Sequence, residues 1–153
     1  MVYIKLIYKY FCKGRIYSTL FLIVIFLFAC SNKEEKLELF SPEAFTYSLE
    51  DGWELNASCR VKGFTQNENS DEYVVKLSYT VDLATPDGNG IEGIVEGLID
   101  EKSKERFSDL HIETQLQIDE SYPAGKYKII FNVSDDFSQK KTSIEKEFEL
   151  TKE

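Results

Sequence analysis

The sequence predicts an all-β fold, a single antiparallel β-sandwich of about seven strands. Two observations carry this expectation. Four stretches alternate apolar and polar residues with a period of two, the signature of half-buried strands. Turn-forming clusters separate them: 66–71, Thr85-Pro86-Asp87-Gly88-Asn89-Gly90, Pro123-Ala124-Gly125 and Ser134-Asp135-Asp136.

The elements are read in chain order. Residues 1–15 carry Lys5, Lys9, Lys13 and Arg15 and no acid, and residues 16–29 carry no charge. The strongly apolar run from Leu20 to Cys30 is shorter than the ~20 residues a spanning helix needs. It has the layout of a secretory signal peptide. Leu27, Ala29 and Cys30 stand where the lipobox of bacterial lipoproteins has its Leu, its small residue and its cysteine. Phe28 is bulkier than the usual residue between them. The resemblance implies cleavage before Cys30 and acylation of that cysteine, palmitate included, with a lipid membrane as the first partner. Ser31-Asn32-Lys33-Glu34-Glu35 resembles the surface-export signal of lipoproteins in Bacteroidetes-type bacteria. The expected location is therefore the cell envelope, lipid-anchored in the outer membrane and facing the periplasm or the exterior.

Residues 30–43 are expected to be the lipidated cysteine and a flexible tether averaging about 20 Å, and 44–153 the domain. The first strand is expected at Phe45–Leu49. In the second, Trp53, Leu55, Ala57, Cys59 and Val61 share the inward face. Tyr73, Val75, Leu77, Tyr79, Val81 and Leu83 do so in the next. A weaker strand is expected at Ile91–Val95, loosened by Gly93. Asp100–Phe107 reads as one or two helical turns with Asp100 as N-cap. Leu110, Ile112, Thr114, Leu116 and Ile118 point inward in a further strand, as do Tyr127, Ile129, Phe131 and Val133 in the one after. Ile144–Leu150 closes the chain of elements. The segment "YPAGKYKIIFNVSDD", followed by the charged strand "SIEKEFEL", resembles the last two strands of bacterial immunoglobulin-like domains. That implies an immunoglobulin-like sandwich; it implies no function.

Composition narrows the partners. Without residues 1–29 the chain has 14 Lys+Arg against 27 Asp+Glu. Such acidity argues against nucleic acid and against an anionic membrane surface. Cys12 lies in the leader and Cys30 is the acylation site, so Cys59 has no partner for a disulfide within the domain. Its position among apolar neighbours predicts an inert core thiol. His111, the only histidine, falls on the polar face of its strand. No cofactor, no metal-ligand spacing and no catalytic residues are read, so the chain is expected not to be an enzyme.

What remains are contact surfaces. The sheet edges are open to strand addition by a partner. Loops 66–72, 100–109 and 134–141 are expected at one end of the sandwich, making an acidic surface of Asp71, Glu72, Asp100, Glu101, Asp135 and Asp136, partly offset by Lys102, Lys104, Lys140 and Lys141. Tyr122, Phe137 and Phe107 are expected at loop edges. The expected function is a non-catalytic binding or envelope-assembly module with a protein partner in the envelope or at the cell surface. The alternative is a carbohydrate- or calcium-binding surface module, for which Asp87 and Asn89 offer two of the six to eight oxygens that calcium needs.

Overall fold

The structure, a computed structural model, describes residues 35–151. The leader and Cys30 lie outside the described residues. Eight strands follow one another: β1 (Glu38–Leu49), β2 (Gly52–Lys62), β3 (Asn67–Asn69), β4 (Glu72–Ala84), β5 (Gly90–Ser103), β6 (Leu110–Asp119), β7 (Gly125–Asp135) and β8 (Lys141–Leu150). All pairings are antiparallel, and they form two sheets. One has the order β1-β2-β6; in the other β5, β4, β7 and β8 are successive neighbours and β3 pairs with the start of β4. The fold is thus an all-β antiparallel sandwich.

Alternation of side chains places one face of each strand in the core. Leu55, Cys59 and Val61 of β2 are fully buried, and so are Val75, Leu77 and Val81 of β4 and Ile129 and Phe131 of β7. The Pro-x-Gly-x-Tyr segment does what its residue types favour. Tyr127 enters the core at the start of β7, stacks on Phe148 with ring centroids 5.6 Å apart, and its hydroxyl donates to the Pro123 carbonyl at 2.7 Å. A tyrosine held in this way to the backbone just upstream of its strand makes a tyrosine corner.

Three sequence expectations are corrected. Leu37 and Leu39 are buried and β1 begins at Glu38, so the domain starts well before residue 44 and the tether ends earlier than residue 43. The 66–72 loop contains β3, a short hairpin arm closed by Ser70 and Asp71, both at positive φ. No helix forms at Asp100–Phe107, because β5 runs unbroken through Ser103 against β4. The edge of β4 supplies ladder partners for this stretch, and tertiary pairing overrides its helical composition. Within β5, Gly97 is dictated by its neighbour: a Cβ there would stand 2.3 Å from the Tyr79 ring. Glycine inside a strand commonly marks such a close approach.

The two sides of the sandwich differ. On one, β1 lies against β8; the Thr46 hydroxyl donates to the Glu149 carbonyl at 3.2 Å and the Trp53 indole to the Thr151 carbonyl at 3.0 Å. On the other, the outer edges of β5 and β6 pair with no strand among the described residues. The tyrosine corner yields a stability prediction. Tyr127→Phe keeps the ring stack and removes one hydrogen bond, so urea unfolding should show a loss of about 0.5–1.5 kcal/mol. No change would mean that the corner does not hold the turn.

Candidate functional site

The outward face of β1 is set by one extra residue. Phe40 pairs with Arg60 and Glu43 with Ser58, so Ser41 and Pro42 together face the single residue Cys59. Ser41 sits at φ 50° in this bulge. Pro42 suits the irregularity, since it has no N–H to give to a ladder. An extra residue inverts the side-chain phase of everything beyond it. Before the bulge Leu37 and Leu39 point inward; after it Ala44 and Thr46 do. Phe45, Tyr47 and Leu49 are thereby turned to solvent, at 57%, 59% and 43% exposure.

These side chains share their face with polar residues in register. Phe45 pairs with Asn56, which pairs with Gln115; Tyr47 pairs with Glu54, which pairs with Gln117. The result is two successive cross-strand rows, each an aromatic ring, a polar group and a glutamine. Two residues of strand separate the rows by about 6.6 Å. The Asn56 amide donates to Glu54 Oε1 at 2.8 Å, while the side chains of Gln115 and Gln117 make no hydrogen bond among the described residues. The far end of the same face is occupied by charges. Arg60 and Lys62 stand over the Phe40 ring, at 6.0 and 5.0 Å from its centroid. Arg60 Nε also donates to Asp109 at 2.8 Å, and His111 Nδ1 lies 2.8 Å from Glu113. Among the described residues no cation stands over Phe45 or Tyr47.

The structure splits the expected acidic surface. Asp135 is fully buried and is not a surface group. Its Oδ2 accepts from Thr65 N at 2.7 Å, and its Oδ1 from Phe137 N at 2.9 Å and Ser138 N at 3.1 Å. Burial alone would raise its pKa; the donors led by Thr65 outweigh burial and hold it below the usual carboxylate range. Asp135 therefore ties the β7–β8 turn to the segment after β2. Asp100 and Glu101 lie in strand β5, where Asp100 pairs with Lys76 at 2.9 Å. Asp136 accepts from the Ser78 hydroxyl at 2.9 Å. Asp71 and Glu72 are exposed at the β3–β4 turn.

Among the described residues no group of three or more His, Cys, Asp or Glu side chains is placed to hold a metal. The Asp87 carboxylate is turned onto its own loop, accepting from the Thr85 hydroxyl and from the Asn89 side-chain amide. Cys59 is buried, and burial pushes its thiol up to about 12. Phe107 and Tyr122 pack partly buried against the core rather than standing free. Gln66 grips the Phe107 backbone at both N–H and carbonyl. The edge of β5 carries Glu92, Glu96, Asp100 and Glu101, charges that disfavour strand addition there. A second face, outside β4, β7 and β8, has Ser78, Thr80, Asn132, Ser134 and Ser143 beneath the exposed Leu98. Asn132 there donates to Asp82 at 2.7 Å and the Ser78 hydroxyl to Asp136 at 2.9 Å.

No family model matches the chain, and no curated protein does. Among solved structures it is similar to a candidate ApaA protein of Bordetella pertussis, with TM-score 0.40 and 11% identity over 76% of this chain and 94% of that one. A Northeast Structural Genomics Consortium target gives 0.36 and 13% over 78% and 89%. A protein from Archaeoglobus fulgidus gives 0.35 and 16% over 76% and 98%. At TM-scores under 0.5 these likenesses carry no argument about function.

Asp135 generates a pH prediction. Its folded pKa is lowered, so its contribution is complete above the unfolded aspartate value of about 3.9 and is lost as pH falls through the lower folded value. Asp135→Asn replaces one acceptor oxygen with an NH₂ that faces backbone donors, either Thr65 N or the Phe137 and Ser138 N–H pair. Urea unfolding at pH 7 should show a loss of about 1–3 kcal/mol, and the variant should lose stability less steeply than the parent below pH 4. Equal midpoints at pH 7 would contradict the assignment.

Proposed function

We propose that this chain is a bacterial lipoprotein, anchored through acylated Cys30, that acts as a non-catalytic binding or assembly module of the cell envelope. The observation that carries the binding part is the row Phe45, Tyr47 and Leu49, held exposed on a rigid sheet. Exposed apolar groups of this size gathered on one face mark a contact surface. The lipid anchor rests on the sequence around Cys30. Because Leu37 is already buried in the domain, residues 31–36 leave at most about 20 Å of extended chain between lipid and fold. The contact face then works close to the membrane surface. The immunoglobulin-like reading draws support from the tyrosine corner.

The test has two parts. Cells fed an alkyne-tagged palmitate should label the full chain and leave Cys30→Ala unlabelled and out of the membrane fraction. Equal labelling of both, or of neither, overturns the anchor. A photo-crosslinking amino acid replacing Tyr47 should give envelope adducts, and the same group replacing Lys146 should give none. Adducts at neither position remove this face from the reading.

A further inference from the structure

We propose that the outer face of β1, β2 and β6 between Glu43 and Leu49 binds an uncharged oligosaccharide chain, an inference that rests on reading this face as the contact surface. The argument comes from what the two cross-strand rows contain. The C–H face of a pyranose ring is apolar and packs against an exposed aromatic ring, while its hydroxyls need donors and acceptors beside that ring. Each row supplies both. Phe45 and Tyr47 offer the rings. Asn56 with Gln115, and Glu54 with Gln117, stand next to them in register.

The polar groups decide between occupants. A dry apolar protein patch seated here would bury the amides of Gln115 and Gln117, which have no partners of their own among the described residues. Buried polar groups without partners are costly. A polyhydroxylated ligand brings a partner for each of them. The Asn56–Glu54 hydrogen bond pre-orders the middle of the face and leaves Asn56 Oδ1 and the second Glu54 oxygen as acceptors for hydroxyls. Charge argues in the same direction. Glu54 is the single charged side chain in the two rows and is hydrogen-bonded to the neutral Asn56 amide, while Glu43 and Glu113 stand in the row beyond Phe45. The platform therefore carries negative charge and would repel an anionic chain.

Geometry sets the size of the ligand. The rings lie about 6.6 Å apart along β1, so a single sugar covers one ring and an extended chain covers both. The Glu43–Ser58–Glu113 row bounds the platform at one end, with Arg60 and Lys62 over Phe40 beyond it, and the β1–β2 turn at Gly52 bounds it at the other.

The experiment is titration of the purified lipoprotein in detergent micelles with gluco-, xylo- and manno-hexaoses, followed by calorimetry. We expect saturable binding of at least one hexaose and at least tenfold weaker binding of its monosaccharide. Tyr47→Ala should weaken the hexaose at least tenfold and Gln117→Ala several-fold, with unchanged melting temperatures, while Lys146→Ala leaves affinity unchanged. Absence of binding at millimolar hexaose overturns the proposal, as does binding indifferent to Tyr47→Ala. If hexaoses fail while the Tyr47 crosslinker still yields protein adducts, the glycan assignment falls and the binding-module reading stands. If the crosslinker also yields nothing, both fall together.

Discussion

The extra residue at Ser41–Pro42 decides which side of β1 meets water. Strand β1 has to satisfy two demands. Its start must bury Leu37 and Leu39 beside Val61, and its end must let β8 come close. Small inward side chains at Ala44 and Thr46 meet the second demand, and they leave the Thr46 hydroxyl free to reach the Glu149 carbonyl. Without the bulge the odd-numbered phase set by Leu37 and Leu39 would carry on to Phe45, Tyr47 and Leu49 and drive them into the narrow gap beside β8. With it, the same residues become an exterior surface. A bulge is a local backbone feature, yet here it converts what would be core into a contact face.

The rest of the sandwich holds that face still. The β1–β8 side is closed by Trp53 reaching Thr151 and by the Tyr127–Phe148 stack behind it. Asp135 gathers three backbone donors at the β7–β8 turn. On the opposite side the open edge of β5 carries Glu92, Glu96, Asp100 and Glu101 rather than a covering strand. Negative charge thus does structural work at the β5 edge, keeping other strands away, while the two aromatic rows carry only Glu54, hydrogen-bonded to Asn56.

Much of this was legible in the sequence. The inward rows of β2, β4 and β7 follow from alternation, since a period-two pattern leaves little freedom about which face is dry. The Pro123–Tyr127 turn was visible for a similar reason, because each residue type there has one conformational use. The active face was not visible. Alternation locates the strand at Phe45–Leu49, but its direction depends on a bulge, and Ser41-Pro42 gives only a weak hint of one. The acidic surface was over-read. Counting carboxylates in 134–141 shows nothing of the three donors that internalise Asp135, and the composition of 100–103 shows nothing of the free β4 edge that turns it into strand.

The measurement closest to this account is the solvent exposure of Tyr47. Incorporating 3-fluorotyrosine and assigning the Tyr47 resonance by Tyr47→Phe allows each ring to be tested with a soluble gadolinium chelate. The bulged register predicts strong broadening of Tyr47 and almost none of buried Tyr127. A Tyr47 signal as protected as that of Tyr127 would mean that β1 runs without its bulge, with the aromatic row in the core and no platform on the outside.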